Sequence, residues 1–264
     1  MSGAVTEPRL AVFFDLDRTL IAGSSMSQFG VAALRAGLID FRSVGRALAG
    51  GLLFRWMGES GSVADQTLPR ILGSLEGKPR SELLELRGPL LEQLLEQVRP
   101  ETLRLLRLHA RMGRDSYIVS ASATEIVEPL AEHLGFTGAI ATEAEVVDGV
   151  YTGRLVEPFR HGSEKAKAIA YLATEKNYDL SLCFAYGDSH NDLPMLELVG
   201  IPIAVNPDSK LATVAYERGW PVVQFARPHH RVKQRARTGS VLAATFAAGW
   251  LSRGTLAAFR IRRK

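Results

Sequence analysis

Short apolar runs that stop at polar residues recur along this chain, and from residue 115 onward helical stretches separate them. Leu10–Phe14, with its aromatic and β-branched residues, stops at Asp15. Tyr117-Ile118-Val119 stops at Ser120, Leu182–Tyr186 at Gly187, and Ala139–Ala141 and Ile201–Val205 repeat the pattern. Each reads as a buried strand. Pro100 opens a helix over 101–112 and Gly113 stops it. Ser122 with Glu125 has the spacing of a capping box for a helix that closes at Gly135, with a kink expected at Pro129. Further helices are expected at 163–175 and from about Asp192 to Val199. Asp148-Gly149, between Glu145–Val147 and Val150–Thr152, suits the tight turn of a β-hairpin. Alternating strands and helices imply an α/β fold with an open, largely parallel sheet flanked by helices.

A helical block interrupts that rhythm straight after the first strand. Phe29, Ala32, Ala33 and Ala36 have helical spacing, and Gly37 ends the piece. Asp40 can cap a helix running to about Met57, Ser81 begins another, and Gly88-Pro89 is expected to break it, with Pro89 first in the next helix. The domain expectation is a core of 1–24 and 99–225, a helical cap inserted over 25–98, and a basic C-terminal tail over 226–264.

In open α/β sheets, ligands bind beyond the carboxyl ends of the strands. The residues placed there are Asp15 and Asp17, then Ser120, then Lys165 or Lys167 near the start of helix 163–175, then Asp188, Asn191 and Asp192. Each has an ordinary explanation as a cap, a turn former or a surface charge. Together they form a set that needs a cation, because clustered carboxylates repel. All-oxygen donors suit Mg²⁺. A carboxylate can attack phosphorus, a second can protonate the leaving oxygen, and a lysine can hold phosphoryl oxygens.

The set Phe13-Phe14-Asp15-Leu16-Asp17-Arg18-Thr19-Leu20, Val119-Ser120-Ala121-Ser122, Glu164-Lys165 and Gly187-Asp188-Ser189-His190-Asn191-Asp192 resembles the haloacid dehalogenase superfamily of phosphohydrolases. The resemblance covers about 10–215, and the helical insertion points to the subfamily that includes phosphoserine phosphatase. It implies a Rossmann-like core and Mg²⁺-dependent phosphomonoester hydrolysis through an aspartyl-phosphate. By the same resemblance Asp15 is the nucleophile and Asp17 the general acid/base. Mg²⁺ is held by Asp15, the Asp17 backbone carbonyl and Asp188, with Asp192 supporting it and the lysine. Ser120, Lys165 and Asn191 bind phosphate, Lys165 being preferred to Lys167. Thr19 supports the loop, and His190 is an exposed linker. One departure concerns substrate: phosphoserine phosphatases carry a glutamate nine residues past the nucleophile, where this chain has Ser24.

Charge is divided unevenly. Ten of the 32 Lys and Arg lie in 226–264, which has no Asp or Glu; the other 22 face 28 acidic residues in 1–225, giving −6 there against a total of +4. A uniformly basic nucleic-acid binder is excluded, and no specific nucleic-acid partner is expected. Leu242, Phe246 and Trp250 form a helical stripe between basic flanks, which suits an anionic membrane surface, a partner subunit or the body of the protein. No secretory signal or spanning helix is legible, so a cytoplasmic protein is expected, with the tail carrying any peripheral attachment to the inner membrane face. The one cysteine, Cys183, lies in an apolar run and reads as buried. Nothing in the sequence specifies an oligomeric state. Two other functions remain open: phosphotransfer or mutase chemistry with the same residues, and a membrane-recruited binding module without activity. The expected partner is a small phosphorylated metabolite or a lysophospholipid-like phosphate.

Overall fold

The computed structural model describes residues 9–37, 73 and 75–225. The expected helix from Asp40 to Met57 and the tail over 226–264 lie outside the described residues.

Six parallel strands, β1 Ala11–Asp15, β2 Asp115–Ala123, β3 Gly138–Thr142, β6 Phe184–Gly187, β7 Ile201–Val205 and β8 Val222–Val223, form one sheet. Their order across it is β3-β2-β1-β6-β7-β8. The chain builds outward from β1 to one edge, then returns and builds outward to the other. The order therefore reverses between β1 and β6, which is where a doubly wound sheet opens a crevice.

Alternation along β1 explains why it is central. Val12 and Phe14 face one apolar cluster, Ala11 and Phe13 the other, and all four are fully buried. Helices Pro100–Arg111 and Thr124–Leu134 contribute Leu106, Ile126 and Leu130 to the first cluster. Helices Ser163–Lys176, Leu193–Leu198 and Ser209–Glu217 contribute Ile169, Met195 and Leu211 to the second. Cys183 is buried in that second cluster.

A polar contact tightens the β1–β6 pair from below. The Phe14 ring stacks on Tyr186 at 4.6 Å, and the Tyr186 hydroxyl lies 2.9 Å from Nε2 of buried His109. Arg114 Nη1 sits 3.0 Å from the other ring nitrogen, Nδ1. A guanidinium can only donate, so Nδ1 accepts and Nε2 carries the proton to Tyr186. Burial, with Arg114 adding to it, holds this imidazole neutral by lowering its pKa to about 4.

The inserted block is fastened at its base. Ile21 and Val98 form an antiparallel bridge, Ala22 N donates to Gln97 O at 2.9 Å, and Arg99 N donates to Leu20 O at 2.9 Å. Its described helices are α1 Ser25–Arg35, α2 Arg80–Glu85 and α3 Arg87–Leu95. Phe29, Leu83, Leu90 and Leu94 join the first apolar cluster of the core. A two-stranded hairpin, β4 Ala144–Val147 and β5 Val150–Leu155, packs on the segment before α2 through the Pro79–Val150 bridge. Asp148 and Gly149 both have positive φ, 51° and 79°, as a two-residue hairpin turn requires.

Three sequence expectations need correction. The break falls at Leu86, and Pro89 is the third residue of α3, where a missing N–H is still harmless. The β6 strand begins at Phe184, because Leu180–Leu182 coil into a turn. Ser122 and Glu125 do not cap helix Thr124–Leu134, whose N-cap is Ala123 with no side-chain bond. Tertiary partners take both side chains instead, as described below. Gly113 (φ 68°) and Gly135 (φ 80°) end their helices as expected.

Candidate active site

Asp15 is the last residue of β1 and is 5% exposed. The chain then makes a wide turn over Leu16–Leu20, closed by Ile21 N donating to Leu16 O at 3.0 Å. Arg18 takes positive φ (63°), and its N–H bonds Gly23 O at 3.1 Å. This turn carries Asp17 to the start of α1. There its Oδ1 accepts from Ser25 N at 2.8 Å and Ser25 Oγ at 2.6 Å, and its Oδ2 from Ser24 Oγ at 3.2 Å. Asp17 is thus held by the first turn of the insertion.

Ser24 is the N-cap of α1 and accepts from Ser27 N. That role, with the bond to Asp17, accounts for an uncharged residue at this position. The Ser25 hydroxyl also lies 2.5 Å from Ser122 Oγ. Because it donates to Asp17, it accepts from Ser122. Ser122 N in turn donates to Ser120 Oγ at 3.1 Å, and Ser120 is buried.

Lys165, in the first turn of its helix, crosses to the same point. Its Nζ donates to Asp15 Oδ1 at 2.5 Å and to Asp192 Oδ1 at 2.7 Å. Lys167 is exposed and pairs with Glu164 instead. Asp192 is 1% exposed, and its Oδ2 accepts from Asp188 N, Ser189 N and Ser189 Oγ. Gly187 makes room for it: a Cβ there would lie 2.7 Å from that of Asp192. Asp208 fixes the same loop by accepting from His190 N at 3.0 Å. Asp188 pairs through Oδ2 with Arg18 Nε at 2.7 Å. Asn191 and His190 are exposed on this loop, and Thr19 is buried under the first turn.

Ligand atoms of Asp15, Asp188 and Asp192 lie within 4.8 Å of one another, and all three residues are buried. Among the described residues Lys165 pairs with Asp15 and Asp192, and Arg18 pairs with Asp188. Burial, with Asp192 adding to it, raises the Asp15 carboxyl well above its usual range. Burial and Asp192 likewise push Asp188 to about 7. Burial acts against Asp192 too, but Lys165 and the Ser189 bonds outweigh it and hold that carboxyl low. Lys165 is raised, its two carboxylate partners overcoming its own desolvation. Asp15 Oδ2 is buried and has no hydrogen-bond partner. An all-oxygen cluster of three buried carboxylates with an unpartnered oxygen fits a hard divalent cation.

The family model for haloacid dehalogenase-like hydrolases matches residues 12–197, well over half of the chain. The chain belongs to that family. Among its relatives in this hydrolase family, the "Inhibition of morphological differentiation protein" of Streptomyces azureus is 41% identical over 230 residues, 86% of this chain and 82% of the relative. "Phosphoserine phosphatase SerB1" of Mycobacterium tuberculosis is 35% identical over 256 residues, 96% of this chain and 81% of the relative. A solved structure of a protein with unknown function from Bordetella pertussis Tohama I superposes with a TM-score of 0.71 at 29% identity, covering 83% of this hydrolase and 99% of that chain.

The site brings Asp15, Lys165, Asp188 and Asp192 into direct contact range, with Ser120 and Asp17 on the flanking elements. Arg18, Ser25, Ser122, Ser189 and Asp208 were absent from the sequence-derived set. Arg18, Ser122 and Ser189 sit inside the motifs already quoted, so proximity in sequence was an available signal. Ser25 and Ser122 meet across 97 positions, and nothing local marks that pairing.

Proposed function

We propose that this hydrolase is a Mg²⁺-dependent phosphomonoesterase that works through an aspartyl-phosphate on Asp15. The observation that carries the reading is the Asp15 carboxylate: one oxygen is fixed on Lys165 at 2.5 Å, and the other is buried and unpartnered. An Asp15 oxygen attacks phosphorus as the bond to the leaving oxygen breaks. Asp17, as the acid, gives that oxygen a proton. Asp17, then a carboxylate, takes a proton from water, which attacks phosphorus and frees Asp15 and inorganic phosphate. Ser120 and Lys165 hold phosphoryl oxygens, and Asn191 approaches from the exposed side of the loop. Asp15, the Asp17 carbonyl and Asp188 would hold Mg²⁺, with Asp192 behind them, and the ion would supply positive charge that favours ionised Asp15 and the transferring phosphoryl group.

Exhaustive chelation is expected to remove phosphatase activity, and Mg²⁺ to restore it. Full activity in the chelated protein refutes the metal assignment. The substrate class is a small phosphorylated metabolite or a lysophospholipid-like phosphate. The name of the Mycobacterium tuberculosis relative puts phosphoserine on the test panel, whereas Ser24 argues against it. Transfer of the phosphoryl group to an alcohol instead of water uses the same residues, and acceptor assays separate the two. A binding module without activity would need no such charge-dense site, and hydrolysis of any phosphomonoester eliminates it.

We also propose that the basic tail attaches the enzyme to anionic membrane surfaces from the cytoplasmic side, on the strength of its ten Lys and Arg and its Leu242, Phe246, Trp250 stripe. No helix among the described residues is long and apolar enough to cross a membrane. Truncation after residue 225 is expected to retain kcat but to lose sedimentation with anionic liposomes. Equal sedimentation of both forms rejects the attachment.

A further inference from the structure

One buried carboxylate is not used by the reaction above. Glu125 is 7% exposed and sits in the first turn of helix Thr124–Leu134. Its Oε1 accepts from Tyr151 Oη at 3.1 Å and from Arg80 Nε at 3.3 Å. Its Oε2 is buried and has no partner. Tyr151 and Arg80 need one acceptor atom between them, so the fold leaves the second oxygen unexplained. A buried acceptor left unmade is costly, and natural proteins keep few of them.

Glu125 lines a narrow pocket whose other walls are largely apolar, among them Met26, Phe29, Leu83, Ala121 and Ala123. Three of these wall residues are chain neighbours of residues that hold Asp17 directly or through Ser25. Met26 follows Ser25, whose hydroxyl holds Asp17, and Ala121 and Ala123 flank Ser122, which bonds Ser25. The pocket thus adjoins the residues that position the acid for the leaving oxygen. An apolar recess with a carboxylate in its wall is a common design for fixing the orientation of a small ligand.

We infer that Glu125 is a specificity-determining residue whose Oε2 accepts a hydrogen bond from the leaving group of the substrate. This rests on the phosphomonoesterase reading. The substrate class is a phosphomonoester whose alcohol is a short apolar chain carrying a hydrogen-bond donor. A primary ammonium binds most strongly, because a bond between charged groups exceeds one to a neutral hydroxyl.

The experiment uses the full chain with Mg²⁺ and three alkyl phosphates of equal length, ending in an ammonium, a hydroxyl or a methyl group. Wild type is expected to rank them in that order, with kcat/KM spanning at least about tenfold between the ends. Glu125→Gln keeps an acceptor for Tyr151 and Arg80 but removes the charge. It is expected to erase the ranking, mainly through KM of the ammonium ester, and to leave the methyl ester within about twofold of wild type. No ranking in wild type, or equal losses on all three esters, overturns the inference. Failure of the underlying reading looks different, because no ester is then hydrolysed. In that case calorimetry with the unphosphorylated amino alcohol and its methyl analogue decides. Binding of the amino alcohol alone, abolished by Glu125→Gln, supports the role of Glu125, and equal or absent binding overturns it.

Discussion

Asp15→Asn is expected to lower kcat by at least about a thousandfold without lowering the melting temperature. The amide is isosteric, and its Oδ1 can still accept from Lys165. Its remaining atom cannot attack phosphorus as a carboxylate oxygen does. Stability is expected to hold because the neutral form is the one that burial and Asp192 already favour at this position. The substitution neutralises one of three carboxylates whose ligand atoms lie within 4.8 Å of one another, so metal-free protein should melt at the same temperature or higher. Any stabilisation of wild type by Mg²⁺ should shrink in the variant, since one charged ligand is gone. Substantial turnover by purified Asp15→Asn protein would falsify the nucleophile assignment.

Lys165→Met is expected to have the opposite profile, losing both stability and activity. Its ammonium bridges Asp15 and Asp192, at 2.5 and 2.7 Å. Removing one partner of a buried pair leaves the other charge uncompensated, at a cost of about 3–5 kcal/mol. Chemical denaturation of metal-free protein measures this directly. Adding Asp192→Asn to Lys165→Met should recover part of the loss, because one of the stranded carboxylates becomes neutral, while activity stays absent. Lys165→Arg should not restore function, since a planar fork cannot occupy the point between two carboxylate oxygens that an ammonium fills. Unchanged stability in Lys165→Met would mean that the bridge contributes nothing to the fold.

The parts of the site that could be read from sequence are those with local causes. Asp15 and Asp188 follow buried strands, and their place in the crevice comes from the strand pattern alone. Lys165 was separable from Lys167 only through the resembling motif, because both lie on one helix, and burial now distinguishes them. Ser122 and Glu125 illustrate why local patterns mislead. Their spacing matches a capping box, but no side chain caps this helix, and theirs turn to Ser25, Tyr151 and Arg80. Those partners lie 97, 26 and 45 positions away, distances at which no short pattern carries information. Pro89 was placed two residues too early in its helix for a related reason: proline is tolerated throughout a first turn, so it marks the turn and not the residue.

The bridge between Ile21 and Val98 has a consequence for how such an enzyme can change over generations. Because both ends of the insertion are tied together beside β1, Asp15 and Asp188 are insulated from its length. Lengthening a closed loop raises the entropic cost of closing it only logarithmically, by about 0.6 kcal/mol for each doubling. Insertions and deletions between these anchors can therefore accumulate at little thermodynamic cost, while the sheet that presents Asp15 and Asp188 stays constant. Selection can explore new substrates there as a separable module, provided that Ser24 and Ser25 at its first turn keep hold of Asp17.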